Sequence, residues 1–292
     1  MPATRTLAPD QTSRIRIADI ATGRISTVHE SHTHLFEAPN WTASDELVLN
    51  ADGGLWRLAL DGRSEPSPIP LTGVPALNND HVLDPDGAHV YLSADDGHIY
   101  RAPLTGGEAR RITRGDGSTA RYLHGVSPDG MRLAYIGLSA AGAVVVTVSV
   151  DGTGETRLTT HASPADGCEY SPDGEWIYFN TEQFSTTAGH AQVARMRTDG
   201  SALEQLTVDD DVNWFPHLAP DGRTAVYLAF PPGTLGHPAD RTVALRLVRD
   251  GDWRAPQTLH TLPSGQGTIN VNSWAPRSDR FAFVEYPVGA AG

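Results

Sequence analysis

Apolar residues in this chain fall in short runs, and no stretch of 12 residues shows the 3.6-residue spacing of an amphipathic helix. The runs are rich in β-branched and aromatic residues, as in Val90-Tyr91-Leu92, Leu133-Ala134-Tyr135-Ile136, Trp176-Ile177-Tyr178-Phe179 and Ala225-Val226-Tyr227-Leu228. Turn signals separate them. Ser127-Pro128-Asp129-Gly130 recurs as Ser171-Pro172-Asp173-Gly174, with looser copies at Asp84-Pro85-Asp86-Gly87 and Ala219-Pro220-Asp221-Gly222. Degenerate copies stand at Thr42-Ala43-Ser44-Asp45 and Ala275-Pro276-Arg277-Ser278. Glycine accepts a left-handed backbone at low cost, so Pro-Asp-Gly and Asp-Gly between strand-like runs predict hairpins.

The six phrases begin at residues 42, 84, 127, 171, 219 and 275, so the spacing runs 42, 43, 44, 48 and 56. Each unit reads as four short antiparallel strands, a to d, the pattern of a propeller blade. The sixth unit stops after its strand b, Phe281 to Tyr286, whereas the chain opens with an orphan strand c, Ile15 to Ile20, and a strand d, Arg24 to Val28. The expectation is one all-β domain over residues 14–286, a six-bladed β-propeller with four antiparallel strands per blade. Its last blade is closed by N- and C-terminal strands, which removes a free sheet edge. Residues 1–13 and 287–292 are expected to be loose.

The Ser-Pro-Asp-Gly phrase, with Asp-Gly and Leu-Thr downstream, resembles the repeat of TolB-like (WD40-like) propellers over nearly the whole chain. The same repeat occurs in propellers of prolyl-oligopeptidase-type peptidases and of oligogalacturonate lyases. The resemblance implies the fold. It also implies a choice of roles, because TolB is a binding scaffold whereas the lyase pocket holds a divalent metal through His and Gln.

Composition removes other chemistries. The net charge is −13 and all 22 basic residues are Arg. Without Lys there is neither a Walker-type phosphate loop nor a Lys-bound pyridoxal phosphate, so no nucleotide cofactor and no such Schiff base is expected. A negative chain without basic clusters is a poor match for nucleic acid. Neither a signal-peptide pattern nor a run of about 18 apolar residues is present, so the expectation is a cytoplasmic protein with no membrane association. Cys168 is the single cysteine, and packing is its expected role.

Candidate chemistry lies where the repeat is broken. The bottom turns repeat, but the starts of the innermost strands, at the top, differ: Glu37 in the first unit, Asn79, Asp80 and His81 in the second, and His124 in the third. Asp166 and Glu169 follow in the fourth, Asn213 and His217 in the fifth, and Gln266 and Asn270 in the sixth. The extra residues in the long units fall in top loops and bring His237 and Arg241 to the same mouth. Imidazoles from separate strands suit zinc, manganese, iron or calcium sites of mixed donor character, so His81, His124, His217 and His237 form the expected metal set. Glu37, Asp166 and Glu169 are candidates for proton transfer, and Arg241 for clamping a substrate carboxylate. Asn79, Asp80, Asn213, Gln266 and Asn270 are candidates for holding substrate hydroxyls. Two functions stand on these residues. One is a metal-assisted, lyase-like enzyme acting on a carbohydrate. The other is non-catalytic binding, either of a sugar-like small molecule or, as in TolB, of a protein.

Overall fold

Six blade sheets arranged around an axis, with one short parallel pair between Leu71–Thr72 and Gly107–Glu108, account for the regular structure of residues 5–289, which the computed structural model describes. No helix occurs among the described residues. Blade 1 comprises strands a to d at Glu37–Trp41, Glu46–Ala51, Gly54–Ala59 and Ser67–Ile69. Blade 2 comprises Leu77–Leu83, His89–Ala94, Ile99–Pro103 and Arg110–Arg111. Blade 3 comprises Ala120–Val126, Arg132–Ser139, Gly142–Ser149 and Thr156–Arg157. Blade 4 comprises Ala165–Tyr170, Trp176–Thr181, Gln192–Arg197 and Glu204–Gln205. Blade 5 comprises Val212–Leu218, Ala225–Phe230, Arg241–Val248 and Gln257–Ser264. Neighbouring strands within each of these blades are antiparallel.

Blade 6 is assembled from both ends of the chain. Its strand b, Arg280–Glu285, pairs with Ser13–Asp19, which pairs in turn with Ile25–Ser31. The innermost strand of this blade is reduced to one bridge, Trp274 to Phe281. The expected terminal strands are therefore present, and the N-terminal one begins earlier than the alternation indicated. Packing also extends further out. Gln11, Thr12 and Ser13 are buried, and Gln11 bridges to Val288. Within the segment expected to be loose, Arg5 and Gln11 to Ser13 thus find partners on the ring, whereas Thr6 and Ala8 to Asp10 are exposed. The outermost parts of the two expected loose segments, 1–4 and 290–292, lie outside the described residues.

Apolar clusters fill the gaps between adjacent blades. Ala18, Val226, Leu228, Leu245, Phe281 and Phe283 pack across blades 5 and 6, and Ile136, Tyr170, Ile177 and Phe179 across blades 3 and 4. Burying a side chain of this size contributes about 1.5–3 kcal/mol, so the ring is held mainly by these inter-blade layers.

The turn phrase repays inspection at its fourth residue. Asp45, Gly87, Gly130, Gly174, Gly222 and Ser278 all adopt positive φ, between 57° and 74°. The degenerate first and last copies thus keep the left-handed backbone although they lost the glycine. In the well-formed copies the serine hydroxyl closes the turn, Ser127 Oγ lying 2.6 Å from Asp129 and Ser171 Oγ 2.5 Å from Asp173. At Gly130 an added Cβ would meet nothing closer than Asp84 Oδ1 at 4.0 Å, so Gly130→Ala isolates the backbone term. We expect that variant to lose about 1–2 kcal/mol of stability in urea denaturation. An unchanged denaturation midpoint would contradict the assignment.

Candidate functional site

The innermost strands share an irregularity that decides which side chains reach the axis. In blades 1, 3, 4 and 5 the register shifts by one extra residue, within Glu37–Asn40, Leu123–Gly125, Asp166–Glu169 and Trp214–His217. In blade 2 the shift lies between Leu77 and His81, whose partners Ala94 and Leu92 are only two residues apart. A bulge of this kind bends the strand and re-aims the side chain at the extra position. His124 is that extra residue in blade 3, and it turns into the mouth of the ring. Ala38, Gly167 and Phe215 carry the bulges of blades 1, 4 and 5 at positive φ.

The bulges leave a cavity of about 370 Å³ at the top of the axis. Part of the lining is polar, with Asn78, Asn79, Asp80, His124, Asp166, His237, Gln266 and Asn270. The rest is apolar, with Tyr122, Ile136, Leu138, Ala143 and Phe215, and the Phe215 ring packs against those of His124 and His237. His237 comes from the long b–c loop of blade 5 and Gln266 from the link into blade 6, as the insertions indicated.

The polar part is a charged network. His124 Nε2 lies 3.0 Å from Asp166 Oδ1, and its Nδ1 donates to the Asn270 carbonyl at 3.0 Å. Two acceptors demand two N–H groups, which is the imidazolium form. Burial opposes that charge, but the carboxylates of Asp80 and Asp166 outweigh it and raise the His124 pKa to about 9. Burial likewise works against Asp166, yet His124 and His237 hold its carboxyl well below the usual range. His237 Nε2 is 3.6 Å from Asp166, while its Nδ1 donates to Gln266 Oε1. Asn270 also donates to Gln266 Oε1, and Gln266 donates to Asn79. Asp80 is different. Burial pushes its pKa up to about 6 despite the attraction of His124, and its Oδ1 has no hydrogen-bond partner.

Beside this network sits a residue that sequence reading missed. Arg5 reaches from the N-terminal arm to Glu37 at 3.1 Å, to the Gln266 carbonyl at 2.7 Å and to Asp240 at 3.2 Å, and lies over the Tyr286 ring at 4.2 Å. Glu37 is buried beneath it, and burial lifts its pKa to about 7 although Arg5 pulls the other way. An arm of polar residues before the first strand carries no periodic signal for such a contact. Tyr122 and Phe215 were legible only as neighbours of polar residues, since nothing in the alternation marks them as cavity walls.

The structure redistributes the other expected site residues. His81 points away from the axis, with Nε2 3.3 Å from the Val48 carbonyl of blade 1, because the longer irregularity in blade 2 puts Asp80 on the axial side instead. His217 is fully buried between Glu169, 2.5 Å from Nδ1, and the Ile269 carbonyl, 2.6 Å from Nε2. Glu169 also accepts from Leu218 N and from Asn272 Nδ2, so it ties blades 4, 5 and 6 together and is no base in the cavity. Asn213 donates to Asp209, Thr207 and Gln192 and anchors a link behind the strand. Arg241 is exposed at the start of its strand, outside the cavity lining. Cys168 is packed in the core, where burial raises its thiol pKa well above the ordinary value.

The expected metal set therefore does not fit. His81, His124 and His217 face three different surroundings, and both ring nitrogens of His217 are already engaged. Among the described residues no group of three or more His, Cys, Asp or Glu side chains is disposed to hold a metal ion.

A six-bladed propeller with a half-polar axial cavity is thus the class that fold and site define. An uncharacterised protein of Agrobacterium fabrum, Atu1656, is 39% identical over 280 residues, covering 94% of this chain and 92% of its own. A solved structure from Agrobacterium tumefaciens assigned to TolB superposes with a TM-score of 0.88 at 36% identity, over 95% of this chain and 99% of that one. The chain belongs to this TolB-like propeller family. An oligogalacturonate lyase in complex with manganese shares the fold at 13% identity, with a TM-score of 0.55 over 90% of this chain and 71% of that one. No protein-family model matches the chain.

The shifted carboxylates fix a pH dependence of stability. Asp80 has a folded pKa above its ordinary 3.8, so the folded state binds the proton more tightly than the unfolded state, and stability falls as pH rises from about 4 to about 6. Glu37 acts in the same sense up to about 7. His124, with its pKa raised, contributes stability that is full below about 6.5 and is lost as pH passes about 9. Asp80→Asn removes the first of these terms. Urea denaturation should show the variant gaining on the wild type by about 2–3 kcal/mol between pH 4 and pH 7. A difference that does not vary with pH would refute the assignment to Asp80.

Proposed function

We propose that this protein is a small-molecule-binding propeller whose ligand sits in the axial cavity, with its polar groups toward Asp80, Asp166, His124 and Gln266 and its apolar part toward Tyr122 and Phe215. One observation carries this reading: side chains from blades 2 to 5 and the link into blade 6 converge on one cavity whose lining combines charged and apolar groups. Ligand pockets are commonly of this size and make-up, with a few placed polar groups in a largely apolar wall. Nothing in the arrangement calls for metal-assisted turnover, because the imidazoles meant for the metal serve as counter-ions and structural donors. Of the two roles suggested by resemblance, binding is therefore preferred, and the ligand is a small molecule because the distinctive residues line the axis. The carbohydrate expectation survives only as a polar small molecule.

Leu138 lines the cavity and is 41% exposed at its rim, so bulk added there narrows the mouth without invading the core. Compounds selected from a small-molecule library for raising the thermal midpoint of the wild type should fail to raise that of Leu138→Trp. Equal stabilisation of both proteins would place the binding site elsewhere and favour the protein-scaffold role.

A further inference from the structure

We propose that the axial cavity takes a small organic cation, an ammonium group carried on an apolar body, with Asp80 as its counter-ion. The proposal rests on the axial cavity being the binding site. The starting point is an imbalance between the two cavity carboxylates. Asp166 is compensated three times over, by His124 at 3.0 Å, by His237 at 3.6 Å and by the Gly167 amide, which donates to Oδ1 at 2.7 Å. Asp80 is only 5% exposed, yet its Oδ1 has no donor. The imidazolium that could serve it spends both N–H groups elsewhere, on Asp166 and on the Asn270 carbonyl. A buried carboxylate oxygen without a donor is costly and is expected to find a partner.

The surroundings decide the charge of that partner. No arginine side chain lines the cavity. Arg5 is committed to Glu37, Asp240 and the Gln266 carbonyl. Arg121 is turned onto the carbonyls of Gly97, Arg114 and Thr119. Arg241 is exposed outside the lining, and the chain has no lysine. An anionic ligand would meet two carboxylates, and His237, the lining imidazole with an uncommitted Nε2, already faces one of them, Asp166, at 3.6 Å. A neutral alcohol could hydrogen-bond to Asp80, but only a cation also neutralises it, and pairing matters most where water is excluded. Tyr122 and Phe215, the latter packed against the His124 and His237 rings, also line the cavity and offer aromatic surface, which covers hydrocarbon and attracts cations through the ring quadrupole. Ile136, Leu138 and Ala143 extend that surface with purely apolar groups, so the body of the ligand needs no hydroxyls of its own.

A matched series tests this. Isothermal titration calorimetry at neutral pH would compare 2-phenylethylamine, 2-phenylethanol and phenylacetate on the wild type, Asp80→Asn and Leu138→Trp. The amine should bind the wild type more tightly than the alcohol, and phenylacetate should not bind. Asp80→Asn should weaken the amine by about 10- to 100-fold while leaving the alcohol within a few-fold, and Leu138→Trp should abolish binding of both. Alcohol or phenylacetate binding as tightly as the amine overturns the cation assignment, and so does amine affinity unchanged in Asp80→Asn. If Leu138→Trp still abolishes binding in either case, the cavity stands as the site. Binding that survives in Leu138→Trp overturns the cavity as well. Failure of the amine to bind the wild type overturns the cation assignment without reference to any variant, so the proposal does not depend on Asp80→Asn folding.

Discussion

The extra residue in each regular innermost strand is the constraint on which the top of this molecule depends. A strand alternates its side chains with strict period two, and an uninterrupted strand at the axis would present one fixed set to the channel. One added residue resets the phase at the level where the blades converge. His124 reaches the cavity because it is itself the added residue, and Phe215 does so from a left-handed backbone that costs a non-glycine residue free energy. At the equivalent place in blade 4 the chain uses Gly167, where a Cβ would come within 3.0 Å of Asn180 Oδ1 and 3.2 Å of the Phe215 backbone. The cavity wall of one blade is thus packed directly on the bulge of its neighbour.

This geometry produces an unusual distribution of charge. Imidazoles that alternation alone would gather around one point are instead divided among three tasks: His81 against a backbone carbonyl, His217 as a strut to Glu169, and His124 as the counter-ion of Asp166. The likeness to a manganese-bound lyase therefore concerns the scaffold. A propeller keeps its blades while polar residues at the channel mouth are exchanged, since the blades are held mainly by inter-blade apolar layers, of whose buried residues only Ile136 and Phe215 also reach the cavity.

The fold was legible in the sequence because its signal is repeated. Six turn phrases, each followed by a β-branched run, mark blade number, strand order and the split last blade, and even Asp45 and Ser278 keep the backbone of the missing glycine. The site was legible in part. Asp80, His124, Asp166, His237, Gln266 and Asn270 are where broken repetition placed them. His81, His217, Glu169 and Asn213 occupy the right strands and face the wrong way, because a bulge leaves no mark in a pattern of apolar and polar letters. Arg5 was invisible for another reason: its partners lie at Glu37, 32 places away, and at Asp240 and Gln266, more than 200 places away, and no local rule connects a residue to such positions.

Closure by both ends also sets an order of events during synthesis. The pairing of Ser13–Asp19 with Arg280–Glu285 spans nearly the whole chain, so it carries the largest loop-closure cost of any strand pair in the ring and must await the last strand to be made. Until then Ser13–Asp19 has an open edge, and blades 1 to 5 form an unclosed arc. Arg5 and Gln266 meet only when that arc shuts. Asp80 and Asp166 are present long before, but the enclosure that desolvates them comes into being with the final strand.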